Sequence, residues 1–292
     1  MTDKKLTNSE LVLNDDGSVY HLHLKPENIA DKIILVGDPG RVQKVSSLFD
    51  SIDFRISNRE FITHTGYYKG QRISALSTGI GIGNIDIVIN ELDALVNINL
   101  ENRTLKEKPT YLRLVRVGTS GSLQEELDTG SFILSEMACG LDGLIHYYRD
   151  GESVCEKEIE ESFIKHTSWD KRRPVPYFVK SSEELFKKFN KKVLSGITLT
   201  APGFYGPQGR ILRLPIIDPE LNDKIHNFSA NGMKIMNYEM ESSALFALSR
   251  LLGHESITIC AVIANRISRK FIRNYEPVIE NLIKFTIDNI CE

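Results

Sequence analysis

Cysteine is scarce in this chain of 292 residues: Cys139, Cys155, Cys260 and Cys291 stand far apart and form no Cys-x-x-Cys pair. That excludes a zinc knuckle or a disulfide framework, and leaves buried thiols as the expectation. No stretch approaches the ~20 uninterrupted apolar residues of a membrane-spanning helix. The polar start, Met1 to Asn14, lacks the apolar segment of a signal peptide, so the expected location is the cytoplasm. Neither sign of charge prevails, with 36 Lys+Arg against 39 Asp+Glu and a net charge of -3. There is no global positive field to hold a nucleic-acid backbone or an anionic membrane, and neither is expected as a partner. No repeat of 20–50 residues is visible. What remains is ordinary folded-protein composition, 41% hydrophobic and 26% charged.

Short runs rich in β-branched residues recur along the chain: Ile33 to Val36, Ile73 to Leu76, Leu114 to Val117, Phe132 to Leu134, Ile197 to Leu199 and Ile257 to Ala264. They read as strands buried on both faces. Between them, Ile85, Val88, Ile89, Leu92, Leu95 and Val96 recur at helical spacing, as do Met240, Ala244, Ala247 and Leu251. A last helix carries Val278, Ile279, Leu282, Ile283, Ile287 and Ile290, with Pro277 near its first turn. The alternation predicts one α/β domain around a central sheet. Residues 1–19 read as an N-terminal extension, mobile or peripheral, preceding a domain over 20–292. The charged, proline-bearing segment from Arg149 to Ser182 reads as a surface insertion.

Several turns carry chemistry. Val36-Gly37-Asp38-Pro39-Gly40-Arg41 leads from a strand into a helix, where backbone N–H groups and a guanidinium suit a phosphate. Ser77-Thr78-Gly79-Ile80-Gly81-Ile82-Gly83 also lies between strand and helix, but no acidic residue ends a following strand as ribose recognition in a dinucleotide fold requires. A third strand, Leu112 to Val117, runs into Gly118-Thr119-Ser120-Gly121 with Arg116 near its end. Three such strand ends on one sheet edge would bind an oxyanion better than any one alone. Glu239 and Glu241, two apart, share a face if extended and so reach neighbouring sugar hydroxyls; a helix N-terminus that favours acidic residues explains them equally well. Phe204 to Arg210 offers aromatics, an amide and a guanidinium, a set able to read a planar heterocycle, although loops of this kind are more often structural.

Together these motifs resemble the nucleoside phosphorylase superfamily and, within it, the uridine phosphorylases. The resemblance rests on Tyr20-His21-Leu22, Gly37-Asp38-Pro39-Gly40-Arg41, Ser77-Thr78-Gly79-Ile80-Gly81, Arg116-Val117-Gly118-Thr119-Ser120-Gly121 and Asn237-Tyr238-Glu239-Met240-Glu241-Ser242. Gln208-Gly209-Arg210 and Asn265-Arg266 point to the uracil-selective branch, since purine-cleaving relatives typically have an aspartate near the latter position. The resemblance implies a single α/β domain with a central mixed sheet, partly barrel-like, flanked by helices. It implies a pentosyltransferase that reversibly converts uridine and phosphate to uracil and ribose 1-phosphate in nucleoside salvage. Arg116, Gln208, Arg210 and Glu241 would be catalytic. Phosphate would be held by Gly37, Arg41, Arg116 and Thr119, with Arg59 reaching in from a neighbouring subunit. Met240 and Glu241 would hold ribose, with His21 from across the same interface. Phe204, Gln208 and Arg210 would hold uracil. A homo-oligomer with shared sites, at least a dimer, follows.

Phosphate is the nucleophile in this reaction, so no protein nucleophile is needed, and no convincing Ser/His/Asp or Cys/His arrangement is present. No cofactor is expected, only phosphate as co-substrate, and no metal, because His21 and His23 lack a third ligand. Ile82-Gly83-Asn84 departs from the pattern after Ile80-Gly81, so no monovalent-cation site at Glu60, Ile80 and Asn84 is claimed. The alternatives are a nucleosidase, a phosphorylase of thymidine, deoxyuridine or a purine nucleoside, and a nucleoside-binding protein without turnover.

Overall fold

The computed structural model describes residues 5–190 and 193–292. Residues 1–4, where the expected extension begins, lie outside the described residues. The longer strands are β1 (Lys32–Val36), β2 (Ser51–Asn58), β3 (Phe61–Tyr68), β4 (Gln71–Ser77), β5 (Arg113–Ser122), β6 (Phe132–Gly140), β7 (Tyr177–Lys180), β8 (Leu194–Thr200), β9 (Met233–Glu239) and β10 (Glu255–Asn265). The helices are α1 (Gly40–Ser46), α2 (Ile82–Asn97), α3 (Lys157–Thr167), α4 (Glu183–Phe189), α5 (Leu221–His226), α6 (Ser242–Leu252) and α7 (Glu276–Cys291).

The sheet follows the order β9-β8-β6-β10-β5-β1-β4-β3-β2, and β9 pairs back onto β5. Five strands therefore close into a barrel, with β1, β4, β3 and β2 as an arm. Pairing is mixed: β1 lies parallel to β4 and β5, while β6 runs antiparallel to β10. Ile33, Ile34, Leu35 and Val36 are fully buried, as a strand covered on both faces requires. One core cluster joins α2 and α6 to the sheet, and another joins α1, α4 and α7. The single α/β domain and its partly barrel-like sheet match the sequence expectation.

Three local readings need correction. Gly118 to Gly121 is no turn: β5 continues through it, with Gly118 opposite Cys260 and Gly121 opposite Tyr238. A side chain at Gly118 would fall 2.2 Å from the Arg116 guanidinium and 2.9 Å from the Cys260 sulfur, so glycine is what lets the strands close here. The segment Arg149 to Ser182 is woven into the core: β7 pairs with β6, and Phe163, Tyr177, Phe178 and Val179 are fully buried. Its charges cover the outside of that layer and mask the aromatics in the sequence. Helix α6 carries no single stripe, because Ser242 to Ser249 are buried all round between α2 and the sheet, and Met240 precedes it. Before Tyr20, Leu11 and Val19 are buried, and Arg103 holds the carbonyl of Leu11.

Candidate active site

The parallel strands β1, β4 and β5 run the same way, so the residues that follow or finish them share one edge. There Gly37, Arg41, Gly79, Arg116 and Thr119 line a cavity of about 1080 Å³, together with Phe204, Gln208, Arg210, Met240 and Glu241. The cavity thus brings together the three segments read from the sequence, the third of them lying within β5 rather than at its end. At the first, the Asp38 carboxylate accepts the Gly40 N–H at 2.9 Å and opens α1, which sets Arg41 on the rim. Burial lowers the Arg41 pKa, and the positive charge of Arg116 lowers it further.

Arg116 is buried, with its guanidinium in contact with Glu241, 3.4 Å from Glu239, and 3.9 Å from the Cys260 sulfur. Burial opposes the charge of Arg116, but the two carboxylates outweigh it and raise its pKa. Glu241 is pushed up by burial, against the pull of Arg116, and Glu239 adds to the rise. The other oxygen of Glu241 accepts the Gly81 N–H at 2.7 Å. Gly81, at φ +93°, caps α2, so the glycine turn that superficially matches a dinucleotide site is spent on a protein carboxylate. The buried Oγ of Ser120 and Nε of Arg116 have no hydrogen-bond partner among the described residues, and both residues line the cavity.

The two glutamates divide the readings left open in the sequence. Glu239 accepts the N–H groups of Glu241 and Ser242 and the hydroxyl of Thr200 at 2.6–3.1 Å, which makes it the cap of α6. Glu241 turns to Arg116 and the cavity, which Glu239 also lines while standing 3.4 Å from Arg116.

Gln208, also on the cavity lining, is only 3% exposed. Its Oε1 accepts from Arg210 at 2.7 Å and from Arg266 at 2.8 Å. Guanidinium groups only donate, so the amide oxygen faces them and the NH₂ remains for the cavity. Arg210 stacks 3.7 Å from the Phe204 ring centroid, and Arg266 lies 4.8 Å from that of Tyr238. Burial, with Arg210 beside it, lowers the Arg266 pKa to about 10, which leaves it charged near neutrality.

Arg266 has no role among the sequence expectations, where its one signal is its place beside Asn265. Asn265 itself is buried, and its amide holds the carbonyls of Gln124 and Leu127. Asn222 and Tyr238 also line the cavity, and nothing in the sequence pattern marked Asn222.

His21 and Arg59 are not brought to this cavity. Glu91 holds the His21 ring at 2.6 Å and also its backbone N–H, while Arg59, at φ +53°, sits 5.4 Å from the Tyr20 ring centroid. The neighbouring Glu60 does line the cavity and accepts from Asn84 at 3.2 Å.

The family model described as the phosphorylase superfamily matches residues 31–286. The chain is 30% identical over 274 residues to a uridine phosphorylase of Thermococcus kodakarensis, covering 92% of this chain and 85% of that one. It is 26% identical to a DeoD-type purine nucleoside phosphorylase of Streptococcus suis, over 83% of this chain and 84% of the relative. The crystal structure of a Trypanosoma brucei nucleoside phosphorylase with uridine phosphorylase activity superposes with a TM-score of 0.86 at 29% identity, covering 96% of this chain and 99% of that one. The chain belongs to the phosphorylase superfamily.

Proposed function

We propose that this protein is a pentosyltransferase that catalyses reversible phosphorolysis of uridine, giving uracil and ribose 1-phosphate for pyrimidine nucleoside salvage. The observation that carries this reading is the Gln208 amide, fixed by Arg210 and Arg266 so that its NH₂ faces the same cavity as Arg41 and Arg116. The cavity offers an amide donor flanked by Arg210 and Arg266 for a carbonyl-bearing base, and Arg41 and Arg116 for an anion. The uridine phosphorylase relatives support the same choice over the purine-cleaving ones.

Cleavage of the glycosidic bond leaves positive character on the sugar and negative charge on the departing base. Gly37, Arg41, Arg116 and Thr119 bind phosphate and direct one oxygen at the anomeric carbon. Glu241 and Met240 hold the ribose, and the Glu241 carboxylate places negative charge near the developing cation. Its contact with Arg116 ties the sugar subsite to the phosphate subsite. Gln208 and Arg210 donate toward the uracil as it takes up charge, and Phe204 packs on its face. Phosphate is a co-substrate, and no cofactor takes part.

The site is completed by a second copy of the chain, which supplies His21 and Arg59; the protein acts as a homo-oligomer of at least two subunits. Residues 20–292 form the catalytic domain after a 19-residue extension, and the enzyme works in the cytoplasm. No described helix is long and apolar enough to cross a membrane, and no described group of three His, Cys, Asp or Glu residues suits a metal. Base selectivity tests the reading: kcat/KM for uridine exceeds that for inosine by at least 100-fold in wild type, and Gln208→Ala removes most of the difference. Preference for inosine in the wild type contradicts it.

A further inference from the structure

We propose that Asn222, on α5, is a positioning residue that holds Gln208 in its base-reading orientation, relaying to it the rigidity of β9 through Tyr238. The inference rests on the reading of Gln208 given above. Asn222 Nδ2 donates to the backbone carbonyl of Gln208 at 3.3 Å, and its Oδ1 accepts the Tyr238 hydroxyl at 3.1 Å. Tyr238 is 2% exposed on a barrel strand, and burial raises its pKa, so the phenol stays protonated and donates. That donor fixes which way the Asn222 amide faces: oxygen to the phenol, nitrogen to the carbonyl.

The loop is shaped to receive this contact. Gly209, directly after Gln208, is left-handed at φ +75°, and a Cβ there would fall 2.2 Å from Asn222 Nδ2. Only glycine leaves Asn222 its place against the loop. Beyond Arg210 the chain has little packing of its own, with Leu212 73% and Leu214 82% exposed. The Gln208 backbone is therefore anchored from two sides, by Asn222 and by Arg266, which also reaches its carbonyl. A base-reading amide needs such support, because loosening of a fraction of an ångström weakens recognition.

Asn222 also lines the cavity, so direct contact with the base is the competing explanation, and steady-state kinetics on the full chain separates the two. Asn222→Ala raises the uridine KM about tenfold, with kcat changed less than about threefold and the phosphate KM unmoved. Asn222→Asp, which keeps the acceptor for Tyr238 but loses the donor, behaves alike. Tyr238→Phe shifts the uridine KM the same way by about threefold, and adds nothing to Asn222→Ala. In a Gln208→Ala background, Asn222→Ala has no further effect.

An unchanged uridine KM in Asn222→Ala, with a raised one in Gln208→Ala, overturns the positioning role and leaves the base reading intact. Full multiplication of the two effects in the double variant also overturns it, in favour of direct contact. An unchanged uridine KM in Gln208→Ala overturns the base reading, and the positioning role with it.

Discussion

Glu239 and Glu241 stand two positions apart in the sequence, both beside Arg116, and differ in what else they hold. Glu239 spends its carboxylate on backbone N–H groups at the start of α6, while Glu241 faces the cavity against Arg116. Glu239→Ala therefore lowers the melting temperature through loss of a buried cap, a change of about 1–2 kcal/mol. Glu241→Gln keeps the shape and removes the charge: kcat/KM for uridine falls by roughly 10²–10³, in the range of other lost transition-state contacts. Calorimetry and initial rates on the two variants check the division, and equal rate losses in both contradict it. Arg116→Ala costs more than either. It removes a proposed phosphate ligand, so phosphate-dependent turnover is nearly lost, and it strands two buried carboxylates, destabilising the fold by about 3–5 kcal/mol. Near-normal phosphate saturation in that variant takes Arg116 out of the site.

At the scale of elements, the placement of Arg41 depends on α1, which packs on the sheet through Val42 and Val45 and is tied to its arm by a contact between Ser46 and His64. His64 Nδ1 on β3 lies 2.7 Å from the Ser46 hydroxyl, within hydrogen-bond distance. Burial, then the nearby Arg55, lowers the His64 pKa, so the folded protein holds the neutral ring. The unfolded chain binds that proton more readily. This contribution to stability is accordingly complete above about pH 6.5 and is lost as pH falls from there through the folded value. Melting curves at neutral pH and at about pH 5.5 read this loss. Wild type loses more melting temperature over that interval than His64→Gln, and parallel losses contradict the account.

The elements legible in the sequence were those with one dominant signal. Ile33 to Val36 and Ile257 to Ala264 are apolar enough to announce buried strands, and α2 and α7 keep their apolar residues on one stripe. The hairpin of β2 and β3 was not legible, because β2 alternates between exposed and half-buried positions and carries charged residues. Strand β7 hid behind the charges of its neighbours. The site residues on strand ends were readable because glycine and arginine there have a chemical reason. Asn222 was not, since its role depends on α5 meeting a loop that ends 12 residues earlier, at Arg210.

At the scale of the whole molecule, one chain's cavity contains the phosphate, ribose and base residues of the proposal but neither His21 nor Arg59. His21 is held by Glu91, and Arg59 lies over Tyr20. If a second copy presents these two residues, two inactive variants complement each other. Mixing Arg59→Ala with Arg116→Ala subunits in equal amounts restores about a quarter of the wild-type sites in a randomly assorted dimer. No recovery in demonstrably mixed oligomers assigns the pocket to one chain. On the proposed function, Arg41 and Arg116 stand where they do because phosphate is the nucleophile. Product analysis of the purified protein with uridine, with and without inorganic phosphate, tests it by following free base and sugar together. Uracil with ribose 1-phosphate, formed only when phosphate is present, is the result the account predicts; uracil with free ribose in the absence of phosphate would contradict it.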